Sequence, residues 1–485
     1  MNIYEHHEIK GWFFLPEDPD NRVPGVLKWD PAKGAEIELM GGLSTPIIQS
    51  LESGDAYIIT DEIVTPARTI YLDADDGKKY SVWDAHRKKV IAERECWESS
   101  QVYCGHHILF DEKVFIQATF VLDGLDYLVK TVDFHEPDFS PKLPEEEQSD
   151  GSILTHYVLP ISSKTCVETT GQSKGAFYSI VTSVVHDIKG DSATGGPYLK
   201  SKWLVEYRRC GPMLTIYFGK AEVRIAFRKD NESIGDLEEP FSNFIYKPIL
   251  DLVRLATFQP CGIAEVRLQT NKYESDGVLL KRFSELARPY EDYDINSVVF
   301  TLDDVPLQFF LKKWEALTKN GADYPWSIAT GLCGYSPRYV EEYVIQSVAA
   351  AEGFHKLCLG KGKKYIDPNG EKQTYHLKDR LRELYNLLPE EIQKILRLNV
   401  DEWVEYAAEA RNHVGHGGSA ASSTVMDILD FHSIAVSVHL VTYLVILNEL
   451  GVSSERIGKA LENHPCISEA KQHCSKWRSS KKHVI

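Results

Sequence analysis

The residues with the clearest chemical potential are an arginine and a histidine in the last third of the chain. The segment VEYAAEARNHVGHGG contains Arg411, Asn412 and His416 in the pattern R-N-x-x-x-H. On a continuous helix, residues five apart are separated by about 140° of rotation, so their side chains would diverge. The glycines from position 415 onward predict that the helix ends there, which lets the guanidinium and the imidazole converge. The negative end of the helix dipole also favours a protonated His416.

This pair of side chains suits cleavage of a phosphodiester bond in RNA without a metal ion. Such cleavage needs a base for the 2′-hydroxyl proton, a cation for the pentavalent phosphate and an acid for the leaving 5′-oxygen. A histidine can serve as acid or base. A planar guanidinium can hold two phosphate oxygens at once, which a lysine cannot. A structural alternative stays open, in which Arg411 and His416 only cap the last carbonyls of their helix.

The N-terminal half of the chain is rich in strand patterns. Up to about residue 230, short runs of Val, Ile, Tyr, Phe and Trp alternate with turn clusters, which predicts a β-sandwich or barrel-like domain. The runs are GWFFL, VPGVLKW, AEIELM, RTIYL, VFIQATFVL, AFYSIVTSVV, WLVEY, MLTIYF and EVRIAF. A helical pattern from Leu237 to Phe258 and the strand AEVRL follow, and the residues from Pro306 to Asn320 predict an amphipathic helix.

After Pro337 the pattern changes to long segments with a period of 3.6 residues, which predicts a helical bundle. The predicted helices are Tyr339 to Leu359, Tyr375 to Leu388, Pro389 to Leu398, Asp401 to about Val414, Ser423 to Leu450 and Ser454 to Leu461. The fold class is therefore α+β, with a β-rich N-terminal domain followed by an all-α bundle. We predict domains at residues 1–300 and 337–485, joined by a helical linker at 301–336.

Charge and composition limit the classes of protein to which the chain can belong. The net charge of −17 repels polyanions, so binding of nucleic acid would depend on a local basic surface. The N-terminal residues lack the pattern of a signal peptide, and we expect a cytoplasmic protein. The apolar run from Ile434 to Leu447 is shorter than a bilayer requires and contains His439, so we expect a buried core helix rather than a membrane span. The nine cysteines predict reduced thiols rather than a disulfide framework.

Three further groups of potentially reactive or metal-binding residues have simpler structural explanations. Residues 171–175 match G-x-S-x-G, but a strand pattern follows where a nucleophile elbow needs a helix, so we expect a hairpin turn. Two groups of soft ligands lack paired C-x-x-C spacing, and a zinc site remains only an alternative for each. The first group is Cys104, His106 and His107, and the second is His464, Cys466, His473 and Cys474. No metal or other cofactor is predicted, and there is no phosphate-binding P-loop pattern for an NTPase motor.

R-N-x-x-x-H at the end of a helix in a helical bundle resembles the signature of HEPN ribonucleases. Upstream, LDDVPLQFFLKKWEALTKN and YVEEYVIQSVAAAEGFHK resemble the linker and first HEPN helix of ApeA-type antiphage proteins. Pieces of the N-terminal half resemble the N-terminal domain of that family, namely GWFFLPEDPDNRVPGVLKWDP, FVLDGLDYLV, LLKRF and VVFTLDD.

The resemblance implies a cytoplasmic, metal-independent endoribonuclease that acts in abortive infection. It further implies a homodimer whose two motifs share one cleft, an N-terminal domain that senses a phage protein, and no membrane association. RNA is the implied substrate, with tRNA expected because its loops expose splayed bases. Position by position, Arg411 would bind the scissile phosphate, Asn412 would orient the site and His416 would be the acid or base.

Other residues enter the expected site with alternatives beside them. His413 falls at a variable position of the motif, which leaves open which imidazole acts. Glu352 matches an acidic position common in such bundles, and a salt bridge between helices is the alternative. The segment GKGKKYIDPNGEKQ carries Lys361, Lys363 and Lys364, which could hold an RNA backbone or belong to a solvated loop.

Two rival functions remain open from the sequence. The first is a non-catalytic HEPN module that binds a nucleotide or a partner, with Arg411 serving structure, joined to a β-rich interaction domain. The second is a purely structural dimerisation module that carries a β-rich binding domain. RNA cleavage in the presence of a chelator separates the first rival from an enzyme, and the stability cost of removing Arg411 identifies the second.

Overall fold

The structure is a computed structural model of the 485-residue chain. It describes residues 3–43, 67–91, 94–109, 112, 114–122, 124–125, 128, 146–147, 153–154, 162–173, 176–190, 203–217, 243–281, 298–319, 321–335, 337–366, 370, 372–415 and 427–477. His416, the predicted strand EVRIAF and the first residues of the helix predicted from Leu237 lie outside the described residues.

Six antiparallel strands near the N-terminus close into a barrel. They are His7–Leu15 (β1), Asp18–Asp30 (β2), Gly34–Leu39 (β3), Arg68–Ala74 (β4), Lys79–Ile91 (β5) and Arg94–Ser99 (β6). The strands pair in the order β4-β1-β2-β3-β6-β5, and β5 pairs again with β4, which completes the ring. Alternating residues such as Phe13, Leu27 and Trp97 are buried, as expected for the interior of a small barrel.

The sheet continues beyond the barrel because β5 also pairs with a seventh strand. The further strands are Gln101–Cys104 (β7), Phe115–Leu122 (β8), Glu146–Glu147 (β9), Ile153–Leu154 (β10), Ser162–Ser173 (β11), Ala176–Gly190 (β12), Trp203–Tyr217 (β13), Ile263–Thr270 (β14) and Gly277–Lys281 (β15). From β5 the order is β7-β15-β14-β8-β13-β12-β11, while β9 and β10 pair separately. The runs WLVEY and MLTIYF, predicted as two strands, are parts of the single strand β13.

The helices lie mainly in the second half of the chain. They are Asn243–Thr257 (α1), Leu307–Leu317 (α2), Asp323–Gly331 (α3), Val340–Gly353 (α4), Leu377–Asn386 (α5), Glu390–Leu396 (α6), Val400–Gly415 (α7), Ile428–Glu449 (α8), Ser454–Asn463 (α9) and Pro465–Cys474 (α10). A π-helical turn, Phe354–Cys358, extends α4, and a two-stranded hairpin follows it, formed by Lys364–Ile366 (β16) and Lys372–Thr374 (β17). A short 3-10 turn, Ser475–Trp477, follows α10. The α+β fold class is confirmed, whereas the domain limits at residues 300 and 336 stay predictions.

Helix α8 is the core of the bundle. By length and composition it could cross a membrane, but 72% of its most apolar window is buried inside the protein. Its polar residues also have partners, since Trp403 donates a hydrogen bond to Ser437 Oγ at 2.9 Å and Thr442 donates to the Val438 carbonyl at 2.9 Å. The burial of α8 agrees with the core helix predicted from the sequence.

A buried carboxylate joins α1 to the two helices that follow the β-rich part. Asp251 on α1 accepts hydrogen bonds from Trp314 Nε1 at 3.1 Å, Trp326 Nε1 at 2.8 Å and Thr330 Oγ1 at 2.9 Å. Lys247 Nζ lies 3.6 Å away and supplies a counter-charge. A buried carboxylate is tolerated when it is hydrogen-bonded and paired, so this cluster fixes α2 and α3 against α1.

The end of α1 is completed by side chains of the bundle. The last carbonyls of a helix have no partner within the helix. Here Tyr443 donates a hydrogen bond to the Leu255 carbonyl at 2.6 Å, and His464 Nε2 lies 3.0 Å from the Thr257 carbonyl. Phe258 follows with φ of 50°, and its ring packs against those of Tyr443 and His464. One hydrophobic core therefore runs from the sheet through α1 into the bundle.

Candidate functional site

The pair Arg411 and Asn412 lies exposed near the C-terminal end of α7. The other face of this helix is anchored by Trp403, Val404 and Ala407, which are fully buried. Arg411 Nη1 donates a hydrogen bond to Asn412 Oδ1 at 3.2 Å. No carboxylate among the described residues forms an ion pair with Arg411. Its guanidinium therefore faces solvent and is oriented by the neighbouring amide, which suits binding of an anion.

The two histidines of the motif segment differ in what the structure describes. Helix α7 is described as far as Gly415, the position at which the glycine pattern predicts its end, and His416 comes directly after the described part. The predicted convergence of Arg411 and His416 therefore stays a prediction. The exposed His413 packs its ring against Phe431 of α8, with the ring centroids 5.2 Å apart. This contact joins the end of α7 to the beginning of α8.

Glu352 lies in the last turn of α4 and faces α5. Its Oε1 is 3.9 Å from Arg380 Nε, and its side chain is 43% exposed. This ion pair is the contact between helices that the sequence left open as an alternative. A catalytic role for Glu352 stays a prediction, since no described contact joins it to Arg411.

The basic segment after α4 is a hairpin. Lys364 pairs with Thr374 and Ile366 pairs with Lys372 across β16 and β17. Lys361, at the start of the segment, has its Nζ 2.9 Å from Glu383 Oε1, whereas Lys363 and Lys364 are exposed. The structure therefore divides the three predicted lysines into one that is paired with the bundle and two that project from it.

A buried polar cluster below this hairpin was missed by reasoning from the sequence. His355 is fully buried and Arg380 is 3% exposed. Arg380 Nη1 donates to His355 Nδ1 at 2.8 Å, and His355 Nε2 lies 3.1 Å from Glu383 Oε2. Tyr375 donates its hydroxyl to the same carboxylate oxygen at 2.7 Å. The available signal was the presence of Arg380 and Glu383 on the face of α5 that turns toward the bundle.

The protonation states in this cluster follow from burial and hydrogen bonding. Burial lowers the pKa of His355, so this imidazole is neutral at pH 7. Burial alone would raise the pKa of Glu383, but hydrogen bonds from Tyr375, Lys361 and His355 outweigh it and lower the pKa to about 2. Burial also raises the pKa of Tyr375 to about 12. The cluster thus combines one carboxylate, one neutral imidazole and one protonated phenol.

The remaining constellations have structural partners. Residues 171–173 of G-x-S-x-G lie in β11 and Ser173 pairs with Ala176 of β12, so a strand follows the motif, as expected, whereas residues 174 and 175 lie outside the described residues. His106 stacks on Tyr273 with centroids 3.8 Å apart, and His464 is held at the end of α1. Within the described ranges, no three His, Cys, Asp or Glu side chains are grouped so that they could hold a metal ion.

Seven described cysteines are free thiols, namely Cys96, Cys104, Cys261, Cys333, Cys358, Cys466 and Cys474. This agrees with the prediction of reduced thiols for the part of the chain concerned.

Two family models match separate regions of the chain. Residues 340–456, which contain α4 to α8 and Arg411, match the family model Apea-like HEPN. The helical bundle is therefore a HEPN domain. Residues 8–170, which contain the barrel, match the model ApeA N-terminal domain 1. The chain is thus an ApeA-like HEPN protein over both matched regions, as the resemblance implied. No curated protein and no solved structure matched the chain.

The family assignment bears on function at a coarse level. HEPN domains are generally ribonucleases, and ApeA-like HEPN proteins indicate a nuclease-type function in antiphage defence. HEPN domains also commonly dimerise and act on RNA.

Proposed function

We propose that this protein is a metal-independent endoribonuclease of antiphage defence that cleaves cellular RNA in the cytoplasm when a phage component acts on its N-terminal region. The observation that carries the proposal is the exposed Arg411, oriented by Asn412 at the end of α7, within a HEPN domain. An arginine with no described carboxylate partner, held beside an amide, is suited to bind a phosphate. tRNA is the proposed substrate because its loops present unstacked bases.

The proposed reaction is attack by the 2′-hydroxyl on the adjacent phosphorus. A neutral imidazole of His416 takes the 2′-hydroxyl proton, and Arg411 stabilises the added negative charge on the phosphate oxygens. A bond forms from the 2′-oxygen to phosphorus, and the bond from phosphorus to the 5′-oxygen breaks. A second imidazole, in the acid form, protonates the leaving 5′-oxygen. The products are a 2′,3′-cyclic phosphate and a 5′-hydroxyl.

The second imidazole is proposed to come from another copy of the chain. Ile428 and Leu429, at the beginning of α8, are 62% and 65% exposed, and α8 adjoins the end of α7 through Phe431 and His413. Apolar side chains exposed this close to the motif support a dimer in which two motifs face one cleft. Replacing both residues with Asn should yield monomers by sedimentation and inactive enzyme. Active monomers would rule out the shared cleft.

Cleavage in a chelator tests the enzyme directly. Purified protein and its His416→Ala variant are incubated with tRNA and other cellular RNAs in EDTA, and the new RNA ends are analysed. We expect the wild type alone to produce 2′,3′-cyclic phosphate ends. Equal cleavage by both proteins would refute the role of His416. Stabilisation by a nucleotide without any cleavage would favour the rival binding module.

Infection tests the biological role. Cells that express the wild type or His416→Ala are infected, and growth and RNA integrity are followed. We expect protection and RNA breakdown only with the wild type, after infection rather than before it. Equal protection by the two proteins would separate defence from nuclease activity and overturn the proposal.

A further inference from the structure

We propose that the β16–β17 hairpin is an arm that binds the phosphate backbone of RNA, and that Arg380, Glu383 and His355 are positioning residues that hold it. The inference rests on the proposed function, because it assigns how the RNA substrate of that site is held. It adds residues that the motif does not contain. It also changes the role of Lys361, which becomes part of the anchor rather than a contact to RNA.

The anchor consists of two side chains one turn apart on α5, each of which contacts both ends of the hairpin. Arg380 Nη2 donates to the Gly362 carbonyl at 2.8 Å, and its guanidinium lies 4.8 Å from the centre of the Tyr375 ring. Glu383 binds Lys361 at 2.9 Å and accepts the Tyr375 hydroxyl at 2.7 Å. Both ends of the segment are therefore fixed to one helix.

His355 couples the two anchoring side chains. An arginine can only donate, so the bond from Arg380 makes His355 Nδ1 an acceptor. The proton of the neutral ring then lies on Nε2, which is 3.1 Å from Glu383 Oε2. The imidazole is buried between a cation and a carboxylate and contacts both. Removing the charge of Glu383 would therefore disturb the contacts of both Arg380 and Glu383 with the hairpin.

The geometry of the chain at the hairpin base also requires glycine. Gly362 has φ of 64°, a left-handed conformation that glycine adopts without strain. This turn directs its carbonyl toward Arg380 while the following residues leave along β16. The base is thus fixed by backbone conformation as well as by side chains.

The cations beyond the anchor are the binding surface. Lys363, Lys364 and Lys372 are exposed, and no carboxylate in the described part of the chain forms an ion pair with them. The Tyr365 ring packs at a tilt against Tyr375 with centroids 4.5 Å apart, which supports the strand from which Lys364 projects. In a chain with a net charge of −17, a fixed group of lysines offers a local attraction for a polyanion.

The position of the arm favours RNA over a protein partner. Helix α5, which holds the arm, is joined to α7 by ion pairs from Lys378 to Glu405 and from Arg382 to Asp401, the latter at 3.0 Å. Helix α7 carries Arg411. The hairpin and Arg411, the residue proposed to bind phosphate, are thus held by two neighbouring helices. We therefore assign RNA bound at Arg411 as the polyanion that the hairpin contacts.

RNA binding by hairpin variants tests the surface. Lys363, Lys364 and Lys372 are replaced together by Ala in a His416→Ala background, and affinity for fluorescent tRNA is measured by anisotropy across a range of salt. We expect an affinity loss of at least tenfold. The slope of log K against log salt should fall by about 2, since each contact to single-stranded RNA contributes about 0.7. The matched control replaces Lys10, Lys394 and Lys459, which are exposed and paired with surface glutamates.

The positioning role is tested with Glu383→Gln and Tyr375→Phe, which remove no lysine. We expect both to weaken RNA binding, Glu383→Gln more strongly, and to raise KM while kcat at saturating RNA is kept. If Glu383→Gln fails to fold, Tyr375→Phe decides the question. Folded variants with lower Tm but unchanged RNA affinity would show a merely structural cluster and overturn the positioning role.

The outcomes also separate this inference from the proposed function. If the wild type cleaves no RNA but the hairpin variants lose RNA affinity, the ribonuclease proposal fails and the arm stands. Cleavage and affinity unchanged in the triple lysine variant would overturn the arm and leave the ribonuclease. Loss of antiphage protection with unchanged RNA affinity would likewise overturn the arm, and would assign the lysines to a protein partner.

Discussion

Two arginines of the same bundle, Arg380 and Arg411, have opposite surroundings. Arg380 is 3% exposed and donates hydrogen bonds to an imidazole and a carbonyl. Arg411 is exposed, and its described hydrogen bond goes to the amide of the adjacent Asn412. The donors of the buried arginine bind groups of the fold, whereas the guanidinium of the exposed arginine is accessible to a ligand. A cation in a sequence motif is thus a functional candidate when the fold leaves it without anionic partners.

Replacing Arg380 should have the largest effect on stability. Arg380→Ala removes the ion-pair partner of Glu352 and the donor to buried His355 and to the Gly362 carbonyl. Breaking a buried charge network by removing one member costs about 3–5 kcal/mol. Denaturation in urea measures the free energy of unfolding. A loss below about 1 kcal/mol would mean that Arg380 is not structural, and the contrast with Arg411 would fail.

Replacing Arg411 should affect activity instead. Arg411→Ala removes an exposed side chain, so we expect a change in unfolding free energy within about 0.5 kcal/mol. Loss of a group that stabilises a developing charge typically lowers kcat by about 10²–10³. RNA cleavage and urea denaturation of the same preparation separate the two quantities. Strong destabilisation with no specific loss of cleavage would support the structural rival.

The charge of Glu383 should appear as a dependence of stability on pH. Its folded pKa of about 2 lies below the ordinary value of 4.5. The ionised carboxylate therefore stabilises the fold above pH 4.5, and this contribution is lost as the pH falls toward 2. Glu383→Gln should flatten the stability curve in that window. Parallel curves for the two proteins would contradict the assignment.

An exposed lysine with a partner on its own helix gives the smallest expected effect. Lys394 Nζ lies 3.3 Å from Glu390 Oε2, and both side chains are more than 70% exposed. Such a pair contributes about 0.3–0.5 kcal/mol. Lys394→Ala should therefore leave both stability and RNA cleavage close to wild type. A large loss of cleavage would extend the RNA surface beyond the hairpin.

The helices of the bundle were predictable because each one repeats apolar residues at the helical period. The six helices predicted after Pro337 all occur, with α8 as the buried core, whereas α3 and α10 were not predicted. Strand β5 was missed for a different reason. Its buried residues Val82 and Trp83 are followed by the charged run His86 to Lys89, which obscures the alternation.

The candidate site was predictable only where it forms a local motif. Arg411 and Asn412 are adjacent, and their helix ends in glycines, so spacing alone singled them out. The anchor of the hairpin brings together His355, Tyr375 and two residues of α5, and no fixed spacing marks such a set. This cluster could be recognised only from the fold, because only the fold shows that the carboxylate, the imidazole and the guanidinium are buried next to one another.

The capping of α1 by Tyr443 and His464 restricts how the proposed nuclease can be activated. Cutting the chain between the β-rich half and the HEPN domain, and letting the halves part, would strip both side chains of their carbonyl acceptors and leave a hollow where Phe258 now packs. The β-rich half and the HEPN domain therefore share one hydrophobic core and cannot separate intact. In the proposed nuclease, a signal from the barrel would reach α8 as a movement within this shared core rather than by release of the HEPN domain.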